Sequence, residues 1–255
     1  RLTRFVYQSG STMEPVFASA KKAPKRLIYA EGEEERVLRA VQVVVDEGLA
    51  KPILIGRPDV IETRIDRYGL RIKLGRDVEC VNVLDDPRYR APRSDSYQHA
   101  KRQGVTRSVA QSEVRTRTTL IGAMLVRKGD ADAMLCGTVG AYADHLRYVR
   151  TVIGLRPGVH TFAAMQLLIL PNRQLFICDT HVNPDPTAEQ VAEMTLLAAE
   201  AARRFGIAPR AALLSHSNFG ARDTRTSARM RDALERIQAS APYLAVDGEM
   251  TAEAA

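Results

Sequence analysis

The stretch Ala131-Asp132-Ala133-Met134-Leu135-Cys136-Gly137-Thr138-Val139-Gly140-Ala141-Tyr142-Ala143-Asp144-His145-Leu146-Arg147-Tyr148-Val149-Arg150 decides the fold class. It begins as a short apolar run, breaks at a turn bracketed by two glycines, and continues with helical periodicity. A short apolar run bounded by turn signals suits a strand buried on both faces. The same strand-turn-helix unit recurs toward the N-terminus. Strands are predicted at Arg26–Ala30, Pro52–Gly56, Val78–Val83 and Ala131–Cys136. Helices are predicted at Glu34–Asp46, Asp59–Tyr68 and Thr119–Lys128, each closed by a glycine: Gly48, Gly69 and Gly129. Glycine just past a helix accepts the left-handed cap conformation. Alternation of this kind predicts an α/β fold with a parallel sheet and helices on its faces.

Working outward, Asp85–Thr106 is polar and broken by Pro87, Pro92 and Gly104, so a surface excursion with a short helix is expected there. The helix after Val139 is expected to run to about Ile153. Gly154-Leu155-Arg156-Pro157-Gly158 then breaks the pattern and serves as the candidate hinge. Beyond it, Phe162–Leu170 and Leu175–Cys178 flank Pro171-Asn172-Arg173, a connection short enough to require an antiparallel pair. Thr187 with Gln190 three residues on is a capping box, opening a helix to about Phe205. A strand at Ala211–Leu214, a helix at Thr226–Ala239 and a strand starting at Leu244–Val246 complete the order. The organisation expected is a linker over 1–12, a first α/β lobe over 13–155 and a second over 156–255.

Composition narrows the function. The 255 residues carry a formal net charge of +7, yet Lys and Arg are interspersed with Asp and Glu. A nucleic-acid surface would gather its basic residues into patches interleaved with aromatics. An anionic small ligand accounts for the excess instead. No run of about 18 apolar residues exists to span a membrane. Cys80, Cys136 and Cys178 are odd in number, far apart and without metal-ligand spacing, which fits a reducing cytoplasm and argues against a disulfide framework or metal site. Arg1-Leu2-Thr3-Arg4-Phe5 lacks an initiator Met and a secretory apolar stretch, and Thr251–Ala255 stops without a closing signal. Both ends read as cuts in a longer polypeptide.

Three strand ends carry chemistry. At Gly137-Thr138-Val139-Gly140 the glycines let backbone N–H groups approach a phosphate or carbonyl, and the helix start favours an anion. A plain tight turn accounts for the same residues. Arg147 and Arg150, three apart, share a helix face and could meet one anionic group, or form a solvated basic face. Glu31-Gly32-Glu33-Glu34-Glu35-Arg36 places acids in a first helical turn, where they complement the helix dipole. Ser215-His216-Ser217-Asn218-Phe219-Gly220 offers two hydroxyls, an amide and a glycine as a neutral hydrogen-bonding cup. Read as a nucleophile motif around His216 it lacks GxSxG geometry and an orienting Asp. The isolated His99, His160 and His181 suit surface or core roles.

Taken together these segments resemble the phosphate acetyltransferase (phosphotransacetylase) family from about Pro15 to Glu249. The resemblance rests on Ala30-Glu31-Gly32-Glu33 with Arg36-Val37-Leu38, Ala131-Asp132-Ala133-Met134, Gly137-Thr138-Val139 with Leu146-Arg147, Pro157-Gly158, Leu214-Ser215-His216-Ser217 and Asp247-Gly248-Glu249-Met250. A closer likeness is to the phosphotransacetylase-like C-terminal region of large bacterial NADP-dependent malic enzymes. It rests on Leu2–Gly10, Met134–Gly140, Tyr142–Arg147, Ile177–Thr180 and Asn183–Gln190.

The resemblance implies two α/β lobes of the phosphotransacetylase and isocitrate-dehydrogenase-like kind, with an acyl-CoA in the cleft between them. It implies a homodimer made largely by the second lobe, and a larger homo-oligomer for the parent. It also implies that the C-terminal part of the family fold, with the Ser-Arg pair and Asp that assist acyl transfer, lies beyond Ala255. No catalytic residue is therefore assigned within the chain. Gly137, Thr138, Val139, Tyr142, Arg147, Ser215, Ser217, Asn218 and Gly220 are expected to bind acetyl-CoA or phosphate. No cofactor or metal is expected in this region. NADP and a divalent metal are expected in the malate-oxidising part of the same chain. Three functions stay open: acetyl-CoA-binding regulation of that part, active acetyl transfer between CoA and phosphate with Arg147 as oxyanion stabiliser, or assembly alone.

Overall fold

The computed structural model describes residues 13–82, 117–170 and 173–255. The linker assigned to 1–12, the excursion at Asp85–Thr106 with His99, the strand end at Val83 and the turn residues Pro171 and Asn172 lie outside the described residues. The chain divides into one compact unit over Phe17–Gly154 and another that joins Leu155–Ala255 with the described residues 13–16.

The first unit is built on four parallel strands. After a helix over 13–22 (α1), the chain forms β1 (Lys25–Tyr29), α2 (Glu35–Asp46), β2 (Ala50–Ile55), α3 (Pro58–Arg67), β3 (Glu79–Val81), α4 (Thr118–Lys128) and β4 (Ala133–Leu135). The sheet order is β3-β2-β1-β4, so β1 is paired on both edges. Side chains alternate across a strand, and both faces are apolar here because both carry helices. Ile28, Ile53 and Ile55 pack with Leu120, Ile121 and Met124 of α4. Tyr29 and Leu54 point the other way, among Val37, Leu38 and Val41 of α2 and Ile61 and Ile65 of α3.

Gly122 explains how closely α4 approaches. A Cβ at that position would lie 3.2 Å from Ile28 and 3.3 Å from Ile55 and would collide with the Met134 sulfur. The lower edge is fastened by Asp132, whose carboxylate accepts from the Arg26 amide at 2.8 Å and from its guanidinium at 2.8 Å. That hydrogen bonding pulls the Asp132 carboxyl down to about 2.

The predicted helix to Ile153 is α-helical only over Tyr142–Tyr148 (α5). It then widens into a π turn over Val149–Ile153, closed where the Gly154 amide bonds the Val149 carbonyl at 3.0 Å. A π turn inserts a residue into the helical register. Tyr148 and Val152 both reach the core, and the Arg127 guanidinium donates to the Val152 carbonyl.

The second unit mixes strand directions. β5 (Met165–Ile169) and β6 (Gln174–Cys178) are antiparallel, as their short connection requires. β7 (Arg210–Leu214) and β8 (Ala245–Met250) are parallel and joined through a helix. The helix α6 (Ala188–Arg204) opens on the Thr187–Gln190 capping box. Helix α7 (Arg225–Ser240) opens on a second box, Thr224 with Ser227, where Ser takes the place that Glu or Gln usually holds. Between these layers lie Val191, Met194, Leu213, Ala233, Ile237 and Leu244.

Candidate functional site

The nine predicted ligand residues fall on two strand-end segments, one in each unit. Gly137, Thr138, Val139, Tyr142 and Arg147 occupy the turn after β4 and the helix α5. Ser215, Ser217, Asn218 and Gly220 occupy the loop after β7.

The first segment is held from behind by three side chains. Glu31, which leaves the end of β1, accepts the Gly137 N–H at 3.0 Å. The amide expected to face an anion is thus already bonded to a carboxylate of the protein. His145 Nε2 lies 2.9 Å from the Val139 carbonyl, and its Nδ1 lies 2.7 Å from the Thr119 hydroxyl of α4. Beside them, the Cys136 thiol is pushed up by burial and further by the Glu31 charge. It stays protonated at neutral pH and is no thiolate nucleophile.

Ahead of this support the segment is open. Val139 is 56% and Tyr142 52% exposed, and Arg147 is exposed too. The Arg147 guanidinium lies 4.8 Å from the centre of the buried Tyr148 ring and donates to its hydroxyl at 2.9 Å, which fixes its position. Cation and ring attract each other, and the tether reduces the freedom Arg147 loses on meeting a ligand.

The acidic run after β1 has three destinations where helix-dipole complementation was the expectation for all of it. Glu34 caps α2 by accepting the Glu35 amide, and Glu35 lies in its first turn. Glu33 instead bonds the Arg57 amide and guanidinium at 2.9 Å, while the Arg64 guanidinium donates to the Glu33 backbone carbonyl. The Arg57 hydrogen bond holds the Glu33 carboxyl low against its burial. Glu31 serves the turn at Gly137. Arg36 lies beside Glu34 at 3.3 Å.

The second segment is closed inward. Glu249 of β8 is 0% exposed, accepts the Gly220 N–H at 3.0 Å and pairs with Arg231 at 2.9 Å. Burial pushes its carboxyl up, but the bonds from Gly220 and Ser217 and the Arg231 guanidinium outweigh burial and leave it below the usual range. Ser217 is buried, and its hydroxyl accepts the Arg222 amide at 3.0 Å. The Asn218 carbonyl oxygen accepts the Thr251 amide at 2.7 Å. The cup expected to be neutral therefore has a carboxylate–guanidinium pair as its floor. His216 Nε2 lies 3.3 Å from the Thr224 hydroxyl, with no carboxylate bonded to it among the described residues.

Sequence reasoning named neither Glu31 nor Glu249 as a supporting residue. The local sequence marks neither: Glu31 stands three residues before the Glu34 cap and Glu249 follows Gly248, and each finds its partner far along the chain. Gly248 itself, at φ 141°, leaves no room for a Cβ, which would fall 2.8 Å from the Leu213 carbonyl oxygen. Among the described residues no group of three or more His, Cys, Asp or Glu side chains is placed to hold a metal. None of their helices is long and apolar enough to cross a membrane.

Residues 11–255 match the phosphate acetyl/butaryl transferase family. The chain belongs to that family. All 255 residues align at 54% identity with the C-terminal region of the NADP-dependent malic enzyme of Escherichia coli (strain K12), covering 34% of its length. A phosphate acetyltransferase of Nitratidesulfovibrio vulgaris is 31% identical over 99% of the chain and 36% of its own length. The chain thus spans about a third of the curated relatives it matches. Among solved structures, a phosphotransacetylase from Streptococcus pyogenes superimposes with a TM-score of 0.86 at 27% identity, over 94% of this chain and 72% of that one.

Proposed function

We propose that the chain is an acetyl-CoA-binding regulatory domain of a malic enzyme. The observation that carries the proposal is the pairing of two kinships in one sequence. The family is that of phosphate acetyltransferases, and the full length of the chain is 54% identical to part of a malic enzyme. A ligand-binding fold joined to an enzyme of different chemistry can report the ligand to that enzyme, provided the ligand binds two states unequally; couplings of ~1–3 kcal/mol are typical. On this proposal Arg147 meets ligand phosphate, and Thr138, Val139 and Tyr142 line the acyl-CoA from the exposed side of the turn. The malate-oxidising part of the parent would hold NADP and a divalent metal. Calorimetry with acetyl-CoA tests binding. Neither heat nor thermal stabilisation at millimolar ligand would leave assembly as the only role.

Self-association through the second unit belongs to the same proposal. The β5–β6 hairpin exposes Leu168, Leu175 and Ile177, and clustered exposed apolar side chains favour protein contact. Ile177→Asp is expected to shift the chain toward monomer in sedimentation velocity runs.

The 31% identical phosphate acetyltransferase favours a second reading, active acetyl transfer between CoA and phosphate. A coupled assay for acetyl phosphate decides between them. Turnover comparable to free-standing phosphate acetyltransferases would replace the regulatory proposal.

A further inference from the structure

A trans peptide is planar, with its C=O and N–H pointing in opposite directions. The Val139–Gly140 peptide is trans, and its carbonyl is turned toward His145 Nε2 at 2.9 Å. A carbonyl oxygen can only accept, so Nε2 carries the ring proton. Nδ1 then accepts from the Thr119 hydroxyl at 2.7 Å. Glu31 lies 3.8 Å from the same nitrogen, beyond hydrogen-bond reach, so Thr119 is what fixes the ring. Thr119 is buried and His145 half-buried, whereas Val139 and Gly140 are exposed. The Gly140 N–H, on the far side of the peptide whose carbonyl faces inward, points away from the ring and toward the exposed side of the turn.

The other end of the turn is arranged in the opposite sense. Glu31 takes the Gly137 N–H inward, so the Cys136 carbonyl of that peptide points outward. The turn therefore presents the amide of its second glycine. Two constraints keep glycine at 140. Its φ is 106°, and a Cβ there would stand 3.0 Å from His145 Nε2.

We propose that the Gly140 N–H donates to an acceptor oxygen of the bound acyl-CoA, and that His145, held by Thr119, is the positioning residue that aims it. The inference rests on the acyl-CoA reading for its ligand. It adds a donor and its support to the residues that the sequence pointed to.

The test titrates the 255-residue chain and its variants with acetyl-CoA and with CoA. His145→Leu removes both ring nitrogens and is expected to weaken acetyl-CoA about five- to tenfold, the loss of one aimed hydrogen bond. His145→Gln, which keeps an N–H within reach of the Val139 carbonyl, is expected to recover most of it. Thr119→Val and Thr119→Ser form a second pair with the same order, should the histidine variant fold poorly. Loss confined to acetyl-CoA assigns the bond to the thioester carbonyl, and loss with both ligands assigns it to an oxygen of the CoA part they share. Unchanged affinity in His145→Leu and Thr119→Val, with wild type binding, overturns the proposal. Amide hydrogen exchange separates this from failure of the acyl-CoA reading. In the free protein the Gly140 amide is expected to exchange at least about tenfold faster than Gly137, one bonded and one open amide differing by that order. Equal protection of the two overturns the geometry whatever the chain binds.

Discussion

The turn after β4 and the loop after β7 occupy the same place in two α/β units: each leaves a strand end and leads into a helix, with glycine and small polar residues. They assign their polar groups differently. In the first unit the supporting groups, Glu31, Thr119 and His145, come from behind, and the far side keeps Val139, Tyr142 and Arg147 exposed. In the second, the loop's own groups are consumed internally by Glu249, Arg222 and Thr251. A strand-end composition thus shows where a ligand can be met, while the accounting of donors and acceptors shows whether the groups remain to meet it.

The largest effect should come from the floor of the second loop. Glu249→Ala leaves the Gly220 N–H without its acceptor and the Arg231 guanidinium with only the exposed Asp223, at 3.1 Å. Removing one member of a buried pair costs about 3–5 kcal/mol, and the partial exposure of Arg231 places this case near ~3 kcal/mol. Urea unfolding followed by hydrogen exchange at β7 and β8 measures it. A loss under ~1 kcal/mol would mean the loop does not depend on this pair, and the comparison would fail on its second side.

The same pair sets a pH dependence whose sign follows from the direction of its shift. The Glu249 carboxyl is held below its unfolded range. Its contribution is therefore fully present above the ordinary Glu value near 4.5 and is lost as pH falls through the lower folded value. The gap between wild type and Glu249→Ala should be constant from pH 7 to about 5 and shrink below about 4, near and under that ordinary value. A gap that widened on acidification would reverse the assignment.

Arg147 tests the open side of the first turn. A charge-assisted hydrogen bond is worth roughly 1.5–3 kcal/mol, so Arg147→Ala should weaken acetyl-CoA by at least about tenfold. Glu34→Ala, which removes only a helix cap, should leave affinity within about twofold, a cap being worth ~1 kcal/mol of stability with no ligand contact. Equal affinities in the two variants would remove Arg147 from the site.

How much of this was legible depends on the range of the interaction. β1, β2, α2, α3 and α4 lie within one or two residues of their predicted ends, because apolar runs closed by Gly48, Gly69 and Gly129 are local signals. The Thr187–Gln190 box was readable for the same reason. The Thr224–Ser227 box was missed because its N3 residue is a serine, and the π turn because the sequence pattern there continues with helical periodicity. The supporting acids were beyond reach for a different reason. Glu31 meets Gly137 across 106 positions and Glu249 meets Gly220 across 29. Nothing in the local pattern separates an acid that caps a helix, as Glu34 does, from one that crosses to another strand end. The fold was local information, whereas the division between open and closed polar groups was tertiary.

The smallest expected effect breaks the comparison most directly. Ser215 stands at the mouth of the second loop, and its hydroxyl accepts the Ser217 amide at 3.3 Å, a long bond. If the loop's groups are occupied internally, Ser215→Ala should change acetyl-CoA affinity by less than about twofold and stability by ~0.5 kcal/mol, the low end for one weak hydrogen bond. A loss as large as that of Arg147→Ala would mean that the second loop also faces the ligand. Its closed network would then serve to hold Ser215 outward, much as His145 holds the Val139–Gly140 peptide, and the two strand ends would share one design.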